Sequence, residues 1–184
     1  ATERLEGNRY TGAVQLGGGP AVLTLDLAPD AIAVRIDGAP ATDAHALVVG
    51  LAGLEQDAAA FARLARKLGL ARLVEGRPEL RIAQTPSVFD GLLWAIIGQQ
   101  INFPFACALK RRLVERTGAK LANGLHAPPT PAAVAALEAA DLLRLQFSRH
   151  KAGYVIATAR LVAEGKLDLE GLRAMSATRA ERTL

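Results

Sequence analysis

The spacing of apolar residues changes once along this chain, from two in its first third to about 3.6 beyond Asp57, and that change limits the architectures open to it. In residues 31–37 the branched Ile32, Val34 and Ile36 alternate with Ala33, Arg35 and Asp37. Such alternation puts one face in a core and the other in water. Leu23, Leu25 and Leu27 alternate with Thr24 and Asp26 in the same way, with Gly17-Gly18-Gly19-Pro20 and Pro29-Asp30 supplying the turns. Residues 10–16 and 45–51 are expected to complete an antiparallel sheet of about four strands.

From Asp57 onward Phe61, Leu64, Ala65 and Leu68 share one helical stripe and Gly69 supplies a stop, so a helix is expected to pack across the sheet. Residues 70–84 read as a connection. Thr85-Pro86 is an N-cap followed by a first-turn proline, leading into the stripe Phe89, Leu92, Leu93, Ile96 and Ile97, which ends near Gly98. A second helix starts at 102–104 and runs through Leu109 and Leu113 to Gly118, its exposed side expected to hold Lys110, Arg111, Arg112 and Arg116. Thr130-Pro131 repeats the start signal, Asp141 is expected to cap a short helix, and Ser148 a longer one that passes Tyr154 and Ile156 to Gly165. Residues 168–175 and 176–184 suggest two more. The fold class is therefore α+β: a small antiparallel sheet with a helix over residues 1–80, then an all-helical domain over 81–184.

Other readings narrow the chemistry. Twenty-two Lys and Arg against 18 Asp and Glu give a net charge of +4, which suits a polyanionic partner without requiring one. The single Cys107 excludes an internal disulfide or a cysteine metal cluster, and a reducing cytoplasmic setting follows as the expectation. His45, His126 and His150 lack metal-ligand spacing, so neither metal nor cofactor is expected. Gly17-Gly18-Gly19-Pro20 is a turn between strands, followed by no helix and no Lys-Ser/Thr pair, so it is not a phosphate-binding loop. No apolar run reaches membrane-spanning length and no signal-peptide pattern opens the chain. Thr183-Leu184 falls in a helix-like pattern without a terminating residue, and trimming at both ends is expected.

The unusual stretch is Trp94-Ala95-Ile96-Ile97-Gly98-Gln99-Gln100-Ile101-Asn102-Phe103-Pro104-Phe105. An apolar helix runs into a glycine and three amide side chains before a new helix starts. Asn102 as the cap of the second helix and Gln99 as a partner for free carbonyls of the first would explain them structurally. Amides at a helix end also suit the base edges of the DNA minor groove, which offer mainly acceptors, with the nearby basic face left for phosphates.

Residues 89–101, Phe-Asp-Gly-Leu-Leu-Trp-Ala-Ile-Ile-Gly-Gln-Gln-Ile, resemble the segment of the 3-methyladenine DNA glycosylase II (AlkA-type) family that leads into its DNA-intercalating loop. Pro129-Thr130-Pro131, the 142–145 turn and Ser148-Arg149-His150-Lys151-Ala152-Gly153-Tyr154-Val155 resemble that family in the same order. The resemblance implies a half TATA-binding-protein-like sheet domain followed by the helical core of the helix-hairpin-helix glycosylase superfamily. It also implies a monomer acting on double-stranded DNA with damaged bases, alkylated purines above all, by flipping the nucleotide and cleaving its N-glycosidic bond. Carried over by position, Gln100 falls where the family places the wedge that fills the vacated space, with Gln99 and Asn102 beside it, and where some members have leucine this chain has Gln100; the basic face of Lys110, Arg111 and Arg112 is expected, on its charge, to meet the phosphates. The family's hairpin and catalytic aspartate have no counterpart here, and Asp141 and Asp168 sit where N-capping explains them, so no catalytic residue is expected in the chain. The alternative is a non-catalytic basic nucleic-acid-binding module.

Overall fold

A computed structural model describes residues 2–77 and 79–183; Leu184, the last residue of the final expected helix, lies outside them. Four strands, β1 (Glu3–Glu6), β2 (Arg9–Leu16), β3 (Gly19–Leu27) and β4 (Ile32–Asp37), pair antiparallel in the order of the chain. Leu16 pairs with Gly19, so β2 and β3 are joined by the tight Gly17-Gly18 turn. Leu23, Leu25, Val14 and Ala21 bury one face of this sheet.

The fourth strand is β1, and residues 45–51 lie instead within the helix α1 (Ala41–Leu51). Ala44, Val48 and Leu51 recur at helical spacing, and Ala44 and Val48 close onto Val14, Leu23 and Leu25. In so short an apolar run the two periods are hard to tell apart, and alanine favours the helix. α1 therefore does the work expected of the next helix, α2 (Ala58–Lys67). The Asp57 Oδ1 does cap α2 by accepting from Ala60 N at 2.7 Å, but the buried residues are Ala58, Ala62 and Ala65, packed with Val74 in a small cluster of their own. Leu64 and Leu68, expected to face the sheet, are exposed.

The remaining helices are α3 (Val88–Gly98), α4 (Phe103–Thr117), α5 (Pro131–Ala135), α6 (Ala139–Arg144), α7 (Arg149–Ala163) and α8 (Ala177–Thr183), with 3-10 turns at Ala71–Leu73 and Glu170–Ala174. The sheet-plus-helices content is α+β, as expected. Leu93, Ile97, Leu109, Leu113, Leu142, Val155 and Leu169 are almost wholly buried among α3, α4, α6 and α7. Burying each such side chain contributes about 1.5 to 3 kcal/mol, so this core holds the α3–α4 pair in place. None of the helices among the described residues is long and apolar enough to cross a membrane.

Asn102, Thr130 and Ser148 cap α4, α5 and α7 as expected. Three starts differ. α3 begins after Ser87, whose Oγ accepts from Asp90 N at 3.0 Å; Thr85 donates its hydroxyl to Ser87 O at 2.9 Å and shapes the turn before the helix. Glu138 caps α6, and Asp141 reaches back to accept from Glu138 N at 3.1 Å, a reciprocal box rather than a simple cap. Asp168 accepts from Gly171 N at 3.0 Å and opens a 3-10 turn in place of the expected helix. At the far end of α4, a Cβ on Gly118 would stand 2.1 Å from Ala127 O, so only glycine lets the following loop close against the helix. That loop carries Leu125 and Ala127 onto Ala13 of β2 and joins the helical half to the sheet.

Candidate nucleic-acid interface

α3 is apolar nearly throughout, and its end needs partners for carbonyls that no further turn can satisfy. Lys151, in the first turn of α7, supplies one by donating from Nζ to Ile97 O at 2.6 Å. That role, expected of Gln99, thus belongs to a cation on another helix. Gln99 leaves the helix with φ −58° and ψ 129°, Gln100 turns through the left-handed region at φ 55°, and Asn102 begins α4 by accepting from Phe105 N at 2.9 Å. A residue with a Cβ adopts such a φ at a cost of about 1 to 2 kcal/mol, which the surrounding structure must offset. Gln99 and Gln100 are exposed, and neither amide side chain is engaged by another described residue.

Beneath this turn lies a buried electrostatic support. The Lys110 Nζ forms an ion pair and hydrogen bond with Asp90 Oδ1, joining α4 to α3. It also stands 5.2 Å from the ring centroid of Trp94, close enough for a cation–π contact. Trp94 in turn stacks on Phe103, with centroids 6.3 Å apart and planes inclined by 14°. Lys110 is therefore not on the exposed basic face where it was expected; the residue is only 7% exposed. It shares the buried stripe of Ala106, Leu113 and Val114, and Asp90 across the interface supplies the counter-charge that makes its burial tolerable. Burial pushes the ammonium pKa down, and Asp90 opposes that shift.

The other cations differ among themselves. Arg111 is exposed and only loosely paired with Glu115 at 3.8 Å. Arg112 reaches the α6–α7 turn, donating to Gln146 Oε1 at 2.6 Å and Leu145 O at 3.3 Å. Gln146 is the second non-glycine residue with positive φ, at 71°. Arg116 and Arg144 both approach Asp141, at 3.7 and 3.2 Å. Of the six residues singled out in the sequence, Gln99, Gln100 and Asn102 meet at one junction, Arg111 and Arg112 extend away from it along α4, and Lys110 turns inward.

Lys151 and the strongly exposed Phe103 were not singled out beforehand. A signal existed for each: a phenylalanine at a helix start in a chain only 4% aromatic, and an apolar helix whose last carbonyls need a donor from elsewhere. Among the described residues no group of His, Cys, Asp and Glu could hold a metal ion.

Residues 93–182 match the model of the HhH-GPD family, described as HhH-GPD superfamily base excision DNA repair protein. A DNA-3-methyladenine glycosylase of Bacillus subtilis is 37% identical over 108 residues, covering 57% of this chain and 36% of the relative. The chain spans little more than a third of the length of the curated relatives it matches. The fold is shared with the 3-methyladenine DNA glycosylase of Archaeoglobus fulgidus, at TM-score 0.78 and 24% identity over 95% of this chain and 61% of that one. It is shared equally with a Clostridium acetobutylicum 8-oxoguanine glycosylase/lyase, in complex with double-stranded DNA containing cytosine opposite 8-oxoguanine, at TM-score 0.76 and 19% identity over 98% and 61% of the two chains.

Proposed function

We propose that the chain supplies the DNA-handling part of a base-excision-repair glycosylase of the 3-methyladenine glycosylase II type, directed at alkylated purines in duplex DNA. The observation that carries this reading is the α3–α4 junction. Two unengaged amides stand on a strained turn, which is tied down from below by Lys151 and flanked by the Asp90–Lys110 pair. Such a turn can enter the minor groove and offer hydrogen-bonding groups to base edges without deforming itself. Gln100 would occupy the space left by the extruded nucleotide, with Gln99 and Asn102 beside it and Arg111 and Arg112 toward the phosphates. Lys110 is assigned to holding the junction rather than to DNA. In this reading residues 1–80 form a supporting domain and 81–184 the DNA-handling one, in a cytoplasmic protein that works as a monomer.

A second reading, a DNA-binding module without chemistry of its own, is favoured by one feature. Asp90 is paired with Lys110, Asp141 is held by the α6 cap and two arginines, and Asp168 caps a turn. None of these three is poised to stabilise a developing sugar cation. The chain is expected to bind duplex DNA with an affinity that falls as salt rises, and to release no base from it. Incubation with alkylated duplex, assayed for both retention and free base, tests this. Salt-independent retention, or none at low salt, overturns the DNA reading; free base above background overturns the assignment of these carboxylates as structural.

A further inference from the structure

Phe103 is 74% exposed, and no large apolar side chain among the described residues is more so. It opens α4 at a position where a helix has no need of an aromatic residue, three residues from the left-handed Gln100 and directly after the capping Asn102. The ring is not free to wander. It lies nearly parallel to Trp94, and Trp94 is held by the buried Lys110 cation, which is held by Asp90. Three side chains in series thus restrain one exposed ring three residues along the chain from the left-handed Gln100.

We propose that Phe103 is a stacking platform for the nucleobase left unpaired when its partner is extruded, working beside Gln100. This rests on the DNA reading above. The amide side chain of Gln100 can fill a vacancy through hydrogen bonds but offers no π-face to the base that has lost its partner, whereas a ring fixed by Trp94 does. Stacking of a base on an aromatic side chain is sequence-tolerant, so the platform would accept any of the four bases in that position. Trp94, Lys110 and Asp90 are positioning residues in this scheme, since none of them touches the base.

The test uses a duplex with a stable abasic analogue opposite 2-aminopurine, together with the matching intact duplex. The chain and its Phe103→Tyr variant are expected to quench the 2-aminopurine emission on binding, and Phe103→Ala and Phe103→Leu are not. The preference for the abasic over the intact duplex is expected to fall about tenfold in the alanine and leucine variants and to be retained by tyrosine. Equal quenching by all four proteins overturns the proposal, as does a leucine variant equal to the starting chain, because apolar bulk rather than stacking would then suffice. If the starting chain binds neither duplex, the DNA reading itself fails, a result distinct from binding that is indifferent to residue 103.

Discussion

The ion pair that crosses the sheet and the one that joins α3 to α4 differ in a way that shows where this molecule is stiff. Arg9 and Asp26 face each other across β2 and β3 at 2.6 Å, with side chains 60% and 49% exposed. The hydrogen bond between them draws the Asp26 carboxyl below its ordinary range and raises the Arg9 guanidinium. Water competes for both groups, and the strands are already fixed by their ladder, so the pair adds little. Lys110 and Asp90 have side chains 8% and 11% exposed, and no solvent replaces either partner if the other is removed. The first decorates a register that exists without it, whereas the second locks two helices and the turn between them.

The largest expected effect follows from that difference. Asp90→Ala leaves a buried ammonium without its counter-charge and is expected to cost about 3 to 5 kcal/mol in chemical denaturation. Replacing both partners together, Asp90→Leu with Lys110→Met, is expected to recover most of the loss while altering the emission of Trp94, the chain's single tryptophan. Full stability in Asp90→Ala would show that the pair is incidental. Asp26→Ala stands at the other end of the scale, with an unfolding midpoint close to that of the starting chain. A large drop there would erase the contrast.

Much of the helical half was legible because its stripes are long. Leu93, Ile97, Leu109 and Leu113 repeat often enough to fix both helices, and Asn102, Thr130 and Ser148 mark starts that the structure keeps. The sheet region was less so, since residues 45–51 satisfy a strand pattern over a few positions and a helical one over a few more, and only the exposed face of the sheet needing a cover decides between them. α2 misled for a related reason: its large leucines predict a stripe, but three alanines allow a closer approach and are what it buries. At the candidate site the amide cluster could be read directly. The inward turn of Lys110 could not, because a run of Lys110, Arg111 and Arg112 on a helix spans nearly the whole circumference and sequence does not say which cation meets Asp90.

The central claim is that the α3–α4 junction is a rigid device whose exposed amide opens the duplex, and Gln100→Ala tests it most directly. Both residues carry a Cβ at the same strained φ, and the Gln100 side chain has no described partner to orphan, so the thermal midpoint is expected to stay nearly unchanged. The preference for an abasic over an intact duplex is expected to drop roughly tenfold, because the vacancy is no longer filled. A lowered midpoint with the preference intact would show instead that Gln100 is a structural amide, and would contradict the account.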